Sequence, residues 1–67
     1  MAKIQLNGKN VVIKSNYSIL DLLKKYKLSD KKVAVEYNGS IVPKAIFKKK
    51  RLKANDKIEI VHFIGGG

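Results

Sequence analysis

The chain has no cysteine, and in 67 residues it has one histidine, one proline and one methionine. Without cysteine there is no disulfide staple, no thiolate metal site and no cysteine nucleophile. The single histidine, His62, excludes a histidine-rich metal cluster and a two-histidine acid–base pair. No metal site and no chain-bound cofactor are expected. No apolar run approaches the roughly 20 residues needed to span a bilayer. Met1-Ala2-Lys3-Ile4 also lacks the apolar stretch of a secretory signal, so a cytoplasmic chain without membrane contact is expected. A chain this short forms one domain and buries only about 60% of the surface it exposes when unfolded.

Acidic residues are scarce: five, against fifteen basic ones, for a net charge of +10. Such an excess attracts phosphate and raises the question of nucleic acid. Fourteen of the fifteen are lysine, the poorer residue for bidentate recognition of phosphate or guanine. Lysine, isoleucine, asparagine and tyrosine all have A/T-rich codons, so the base composition of the gene is a sufficient cause of the charge. Clustering is the sharper test. Lys48-Lys49-Lys50-Arg51 is the one dense run, with Tyr17, Phe47 and Phe63 as the aromatics left outside the expected core.

Lys3-Ile4-Gln5-Leu6 alternates polar and apolar, the period of a half-buried strand. Asn7-Gly8 then signals a tight hairpin into Val11-Val12-Ile13, because both turn positions tolerate positive φ. Ser18 with Asp21 three residues on is a capping box opening a helix. Ile19, Leu22, Leu23 and Tyr26 share its apolar face, while Asp21, Lys24 and Lys25 lie opposite. Val33, Val35 and Tyr37 alternate as a third strand, ended by Asn38-Gly39. Ile41-Val42-Pro43 is a short extended piece, with Pro43 suited to a strand end. A short turn or 3₁₀ segment and an irregular loop are expected from Ala45 to Leu52. After the turn at Ala54-Asn55-Asp56, Lys57 to Phe63 is the last strand. The fold class is α+β: a sheet of four to five strands with one helix across one face.

The last strand empties into Gly65-Gly66-Gly67. Glycine has no Cβ and accepts backbone geometries closed to other residues, so such a tail can thread a narrow channel. The expected division is a domain over 1–64 and a flexible tail over 65–67. The tail's chemistry is the carboxylate of Gly67. Along the strand, Glu59, Val61 and Phe63 share one phase, so Val61 and Phe63, with Ile64, are expected to form the approach surface for a partner. His62 shares the phase of Ile58 and Ile60 and is expected as a sheet-end residue with a satisfied hydrogen bond.

The segments Val33-Ala34-Val35-Glu36-Tyr37-Asn38-Gly39, Ile41-Val42-Pro43-Lys44, Asn55-Asp56-Lys57-Ile58-Glu59-Ile60-Val61 and Phe63-Ile64-Gly65-Gly66-Gly67 together resemble the ThiS family of sulfur carriers in thiamine biosynthesis. The likeness covers nearly the whole chain. It implies a ubiquitin-like β-grasp fold, which the element order already fits. Between Pro43 and Leu52 the chain departs from the family's mixed-charge, aromatic-containing segment, with Phe47 followed by four basic residues.

The resemblance also implies a chemistry. A ThiF-like adenylyltransferase would use ATP to place AMP on the Gly67 carboxylate. Sulfur from a cysteine desulfurase, delivered as a persulfide, would displace AMP and leave a thiocarboxylate. A ThiG-like thiazole synthase would then take that sulfur. Activation splits one difficult transfer into easier steps. The carrier would be a cosubstrate and not an enzyme, with Gly65 and Gly66 threading the partner's channel. A molybdopterin-type carrier or a ubiquitin-like modifier shares the adenylated end. A small basic nucleic-acid-binding module is the alternative from another class, and it leaves the glycines without a role.

Overall fold

The computed structural model describes residues 1–62. The expectations placed on Phe63, Ile64 and Gly65-Gly66-Gly67, and the division at residue 64, lie outside the described residues. The strands are β1 (Ala2–Leu6), β2 (Lys9–Ile13), β3 (Val33–Tyr37), β4 (Ser40–Ile41) and β5 (Lys57–His62). One helix, α1 (Ile19–Lys25), follows β2, and a 3₁₀ turn at Lys44–Ile46 follows β4.

The strands form a single sheet in the order β2-β1-β5-β3-β4. β5 lies at its centre, parallel to β1 and antiparallel to β3. Asn7 and Gly8 turn the β1–β2 hairpin with φ of 50° and 83°, the paired positive angles that match strand twist. Asn38 and Gly39 repeat the device at 50° and 89° between β3 and β4. A five-stranded mixed sheet under one helix is therefore what the alternation of the sequence builds.

α1 covers one face of the sheet. Ile19, Leu22 and Leu23 are fully buried and meet Ile4, Ile58 and Val35 across the core. The capping box forms as the sequence predicts: Asp21 N–H donates to Ser18 Oγ at 3.0 Å, and Ser18 N–H to Asp21 Oδ2 at 2.9 Å. The other early helix amides are met from a distance. Ile19 and Leu20 N–H donate to the carbonyls of Lys50 and Phe47, both at 3.0 Å. These contacts satisfy donors that a helix start otherwise leaves unpaired.

Two expectations need correction here. Tyr26 is the helix C-cap, 40% exposed, and not a core residue. The helix ends at Lys25, and just past its cap Lys27 takes φ 58° and Leu28 N–H returns to the Leu23 carbonyl at 2.9 Å. Phe47, expected outside the core, is only 2% exposed and among the largest fully enclosed side chains. The lysine-rich loop is therefore anchored by Phe47 and Leu52 rather than free.

Candidate functional site

The candidate site is the end of β5 and the sheet face beside it, because these lead to the tail. Burial of Ile58 and Ile60 against the helix side fixes which way β5 faces. Lys57, Glu59 and Val61 consequently point to the uncovered face. Val61 is 58% exposed there, with Ala34 of β3 directly opposite. The exposure expected for Val61 is thus observed. Phe63, Ile64, Gly65, Gly66 and Gly67 lie outside the described residues.

β5 is held from both sides as far as Ile60. On the β1 side the ladder ends at the pair Leu6–Ile58. Asn7 N–H donates to the Ile58 carbonyl at 2.9 Å, and the Asn7 side chain continues the pairing. Ile60 N–H donates to Asn7 Oδ1 at 2.7 Å, and Asn7 Nδ2 donates to the Ile60 carbonyl at 3.4 Å. Beyond that point the strand's ladder partners among the described residues, Ala34 for Val61 and Val33 for His62, are on β3.

The start of β5 is fixed by Asp56, 7% exposed. Its carboxylate accepts from Lys53 N–H at 2.7 Å, Tyr37 Oη at 2.8 Å and Asn38 Nδ2 at 3.3 Å. Asn38 Oδ1 in turn accepts from Lys57 N–H at 2.8 Å. A buried carboxylate is costly unless hydrogen-bonded, and here three donors meet it. Burial, then the Asp56 carboxylate, push the Tyr37 phenol up to about 12. Lys50 Nζ sits 4.3 Å from the centre of the same ring, within cation–π range.

His62 lies at the sheet end as expected, but it is exposed and its side chain has no hydrogen-bond partner among the described residues. The partner expected for it is not found there. Among the described residues no group of three His, Asp or Glu side chains is placed to hold a metal, and no helix is long and apolar enough to cross a membrane. Burial of Phe47 also removes the aromatic nearest the basic run, leaving Lys48 to Arg51 without the adjacent stacking platform that single-strand binders use.

Sequence reasoning missed Asn7 and Asp56 as supports of β5. Each was visible only as a turn residue. Their partners lie 53 residues away for Asn7, and 18 and 19 residues away for the Asn38 and Tyr37 side chains that meet Asp56.

Comparison with known proteins bears on this geometry. Residues 3–67 match the ThiS family. The sulfur carrier protein ThiS of Bacillus subtilis (strain 168) is 48% identical over 65 residues, covering 96% of this chain and 98% of that protein. A thiazole synthase of Paramagnetospirillum magneticum is 38% identical over 65 residues, but this chain spans only 20% of its length. A crystal structure of the thiamine biosynthesis protein ThiS from Geobacter metallireducens superposes with a TM-score of 0.83 at 28% identity, covering 97% of this chain and 99% of that one.

Proposed function

This chain belongs to the ThiS family of sulfur carriers of thiamine biosynthesis, and from that premise we propose that its sulfur is carried on the Gly67 carboxylate. The observation that carries the reading is the family match over residues 3–67, which runs through the terminal glycines. The central position of β5, clamped as far as Ile60, supports it mechanically: the strand is a fixed base for a partner to dock beside.

A carboxylate is a poor electrophile, so an adenylating partner activates it. A Gly67 oxygen attacks the α-phosphorus of ATP and pyrophosphate leaves. The terminal sulfur of a persulfide, supplied from a cysteine desulfurase, attacks the acyl carbon and AMP leaves. A thiol then cleaves the S–S bond, becomes a disulfide, and frees the thiocarboxylate. The sulfur acceptor is a thiazole synthase. Support for that partner comes from the thiazole synthases of Paramagnetospirillum magneticum and Magnetococcus marinus, which contain a segment 38% identical to this chain. The described residues supply the docking surface, and the chemistry belongs to the partners.

The test is the intact mass of the carrier after incubation with a ThiF-like adenylyltransferase, ATP and a persulfide source. Replacement of one oxygen by sulfur at the C-terminus is expected. An unchanged mass, with a partner shown to form AMP on another carrier of the family, would overturn the reading.

A further inference from the structure

The positive charge is gathered on one side of the molecule. The segment after β4 runs antiparallel beside α1. The Lys50 and Phe47 carbonyls meet the first helix amides, and Lys44 Nζ donates to the Lys31 carbonyl at 3.2 Å beyond the other end. Leu52 N–H donates to the Tyr17 carbonyl at 2.7 Å, so the two stretches close into one layer over the sheet. Residues 18–32 bring Lys24, Lys25, Lys27, Lys31 and Lys32 to this layer. Residues 43–52 bring Lys44, Lys48, Lys49, Lys50 and Arg51. Ten basic residues thus stand against Asp21 and Asp30, a charge of +8 out of the chain's +10. The rest of the chain holds five basic and three acidic residues, for +2. Two of those acids, Glu36 and Glu59, lie opposite each other on the uncovered face of the sheet.

The base composition of the gene accounts for abundant lysine but not for this asymmetry. Some of the cations have a place in the fold. Lys24 and Lys25 occupy the last turn of α1, where the helix dipole favours them. Lys50 sits over the Tyr37 ring, and Arg51 lies 3.9 Å from Asp21. Lys48 and Lys49 have no such role. Both are exposed, and their side chains have no hydrogen bond or ion pair among the described residues. Crowding charges of one sign works against the compact state through self-repulsion. The fold does not require it.

The layer's chemistry and position identify what it fits. Nine of its ten cations are lysine, a strongly hydrated point charge and not a bidentate fork. Phe47 is buried, so the loop offers no stacking platform beside them. Point charges on a helix and a loop suit the carboxylates of an acidic protein surface better than a nucleic acid. The layer also lies on the helix side of the sheet, whereas Val61 is exposed on the other side. A protein holding Gly67 beside the end of β5 therefore leaves the layer open. On the carrier reading, a second protein is needed at that moment, because the acyl-adenylate is open to hydrolysis until a persulfide attacks it. Clustered charge of one sign raises the rate of such an encounter about 10- to 1000-fold.

We propose that the layer of α1 and the basic loop is a second docking surface, which receives an acidic surface of the persulfide-bearing protein while the adenylating partner holds the tail. The inference rests on the carrier reading above. Lys48 and Lys49 are the uncommitted charges available to that protein, and buried Phe47 fixes the loop that presents them. The bonds made and broken are those already given: the persulfide sulfur attacks the acyl carbon and AMP leaves. Charge complementarity of this kind sets orientation and association rate more than raw affinity, and it weakens as salt rises.

The test reverses charge on the layer and, as a control, away from it. Lys48→Glu/Lys49→Glu breaks no side-chain contact among the described residues, so its melting temperature should equal or exceed that of wild type. Lys9→Glu/Lys14→Glu makes the same change in net charge at the edge strand β2 and the residue after it. Each carrier is incubated with the adenylyltransferase, ATP and a cysteine desulfurase. The desulfurase concentration giving half-maximal thiocarboxylate formation should rise about tenfold or more for the loop variant at low salt. High salt should bring it and wild type together. The loop variant's KM for adenylation should stay within about twofold of wild type, and the β2 variant should match wild type in both assays. An unmoved desulfurase requirement overturns the proposal. So does an equal rise in the β2 variant, which would make total charge and not its placement the cause. A rise in the adenylation KM alone also overturns it and assigns the layer to the adenylating partner. RNA retarded in a gel by wild type and not by the loop variant, with transfer unmoved, would assign the layer to nucleic acid instead. Should Lys48→Glu/Lys49→Glu fail to fold, Lys48→Gln/Lys49→Gln carries the same test with a smaller rise expected. Failure of wild type to gain sulfur counts against the carrier reading, whereas conversion of wild type with an unmoved loop variant sinks only the docking inference.

Discussion

Ile60 N–H donates to the side-chain oxygen of Asn7 at 2.7 Å, joining the first hairpin turn to the last strand across 53 residues. Asn7 holds φ at 50°, which few residues tolerate, and its amide takes the place of a strand neighbour that β1 no longer supplies. Asn7→Gly keeps the turn and removes the side chain, leaving Ile60 N–H without its partner. The expected loss is about 1–2 kcal/mol. Asn7→Ala adds backbone strain and should lose more, by about 1 kcal/mol. Denaturant midpoints measure the totals, and hydrogen exchange at the Ile60 amide should accelerate in both. Equal stability of Asn7→Gly and wild type would show that the clamp is dispensable.

Phe47 anchors the basic loop beneath the helix start. Its ring is 2% exposed, and its carbonyl accepts from Leu20 N–H at 3.0 Å. Phe47→Ala leaves a cavity and should lose about 3–5 kcal/mol, a large part of the 5–15 kcal/mol available to a domain. Phe47→Leu retains most of the volume and should lose under about 2 kcal/mol. Urea unfolding followed by far-ultraviolet circular dichroism distinguishes the two. A surface-like loss of a few tenths of a kcal/mol for Phe47→Ala would contradict its core placement.

What could be read in advance was what local pattern controls. The Asn7-Gly8 and Asn38-Gly39 turns, the Ser18–Asp21 capping box and the alternation of Val33, Val35 and Tyr37 each depend on neighbours within a few residues. The placement of Phe47 does not. It sits in a basic, weakly periodic stretch, and only its meeting with α1 makes it core. Tyr26 shows the opposite failure: it has the right spacing for the apolar face, but Lys27 turns the chain out of the helix beside it. At the site, the exposure of Val61 followed from strand phase. The Glu36–Glu59 pair required the register of two strands far apart in sequence.

The capping box makes stability depend on acid. Hydrogen bonding from the Ser18 backbone amide is the main influence holding the Asp21 carboxyl below its ordinary value of 3.8. A depressed carboxyl contributes stability that is fully present above the ordinary value and is lost as pH falls through the folded one. Asp21 is partly exposed, so its share is modest. Asp21→Asn should lose about 0.5–1 kcal/mol at neutral pH, where the helix start favours a negative charge. As pH falls through the depressed folded value the variant and wild type should converge. Melting curves at neutral and strongly acidic pH check this, and a constant difference at both would rule out the assignment.

Moving the terminal carboxylate should abolish transfer without touching the fold. An alanine added after Gly67 shifts the reacting group one residue onward and puts a Cβ beside it, where Gly65-Gly66-Gly67 has none. The expected result is a melting temperature unchanged within error and no gain of sulfur in the intact mass. Full conversion of the lengthened carrier would contradict the assignment of chemistry to Gly67.

Tyr37 should ionise late, above the ordinary phenolic value. Of the three tyrosines, Tyr26 is exposed, whereas the Tyr37 hydroxyl donates to Asp56 at 2.8 Å beneath the start of β5. Burial disfavours the phenolate, and a carboxylate against the oxygen disfavours it further, so the folded group titrates near 12 against an ordinary 10.0. A phenol raised in this way contributes stability that is complete below its unfolded value and lost as pH rises through the folded one. In an absorbance titration one phenolate should therefore appear late, close to alkaline unfolding. Tyr37→Phe removes that late component and leaves Asp56 one donor short, at a stability loss of about 1–3 kcal/mol at neutral pH because a buried acceptor loses a partner. The penalty should shrink in Tyr37→Phe/Asp56→Asn, since the two side chains act as one unit and their single losses are not additive. Additive losses would mean that the hydroxyl and the carboxylate support β5 independently.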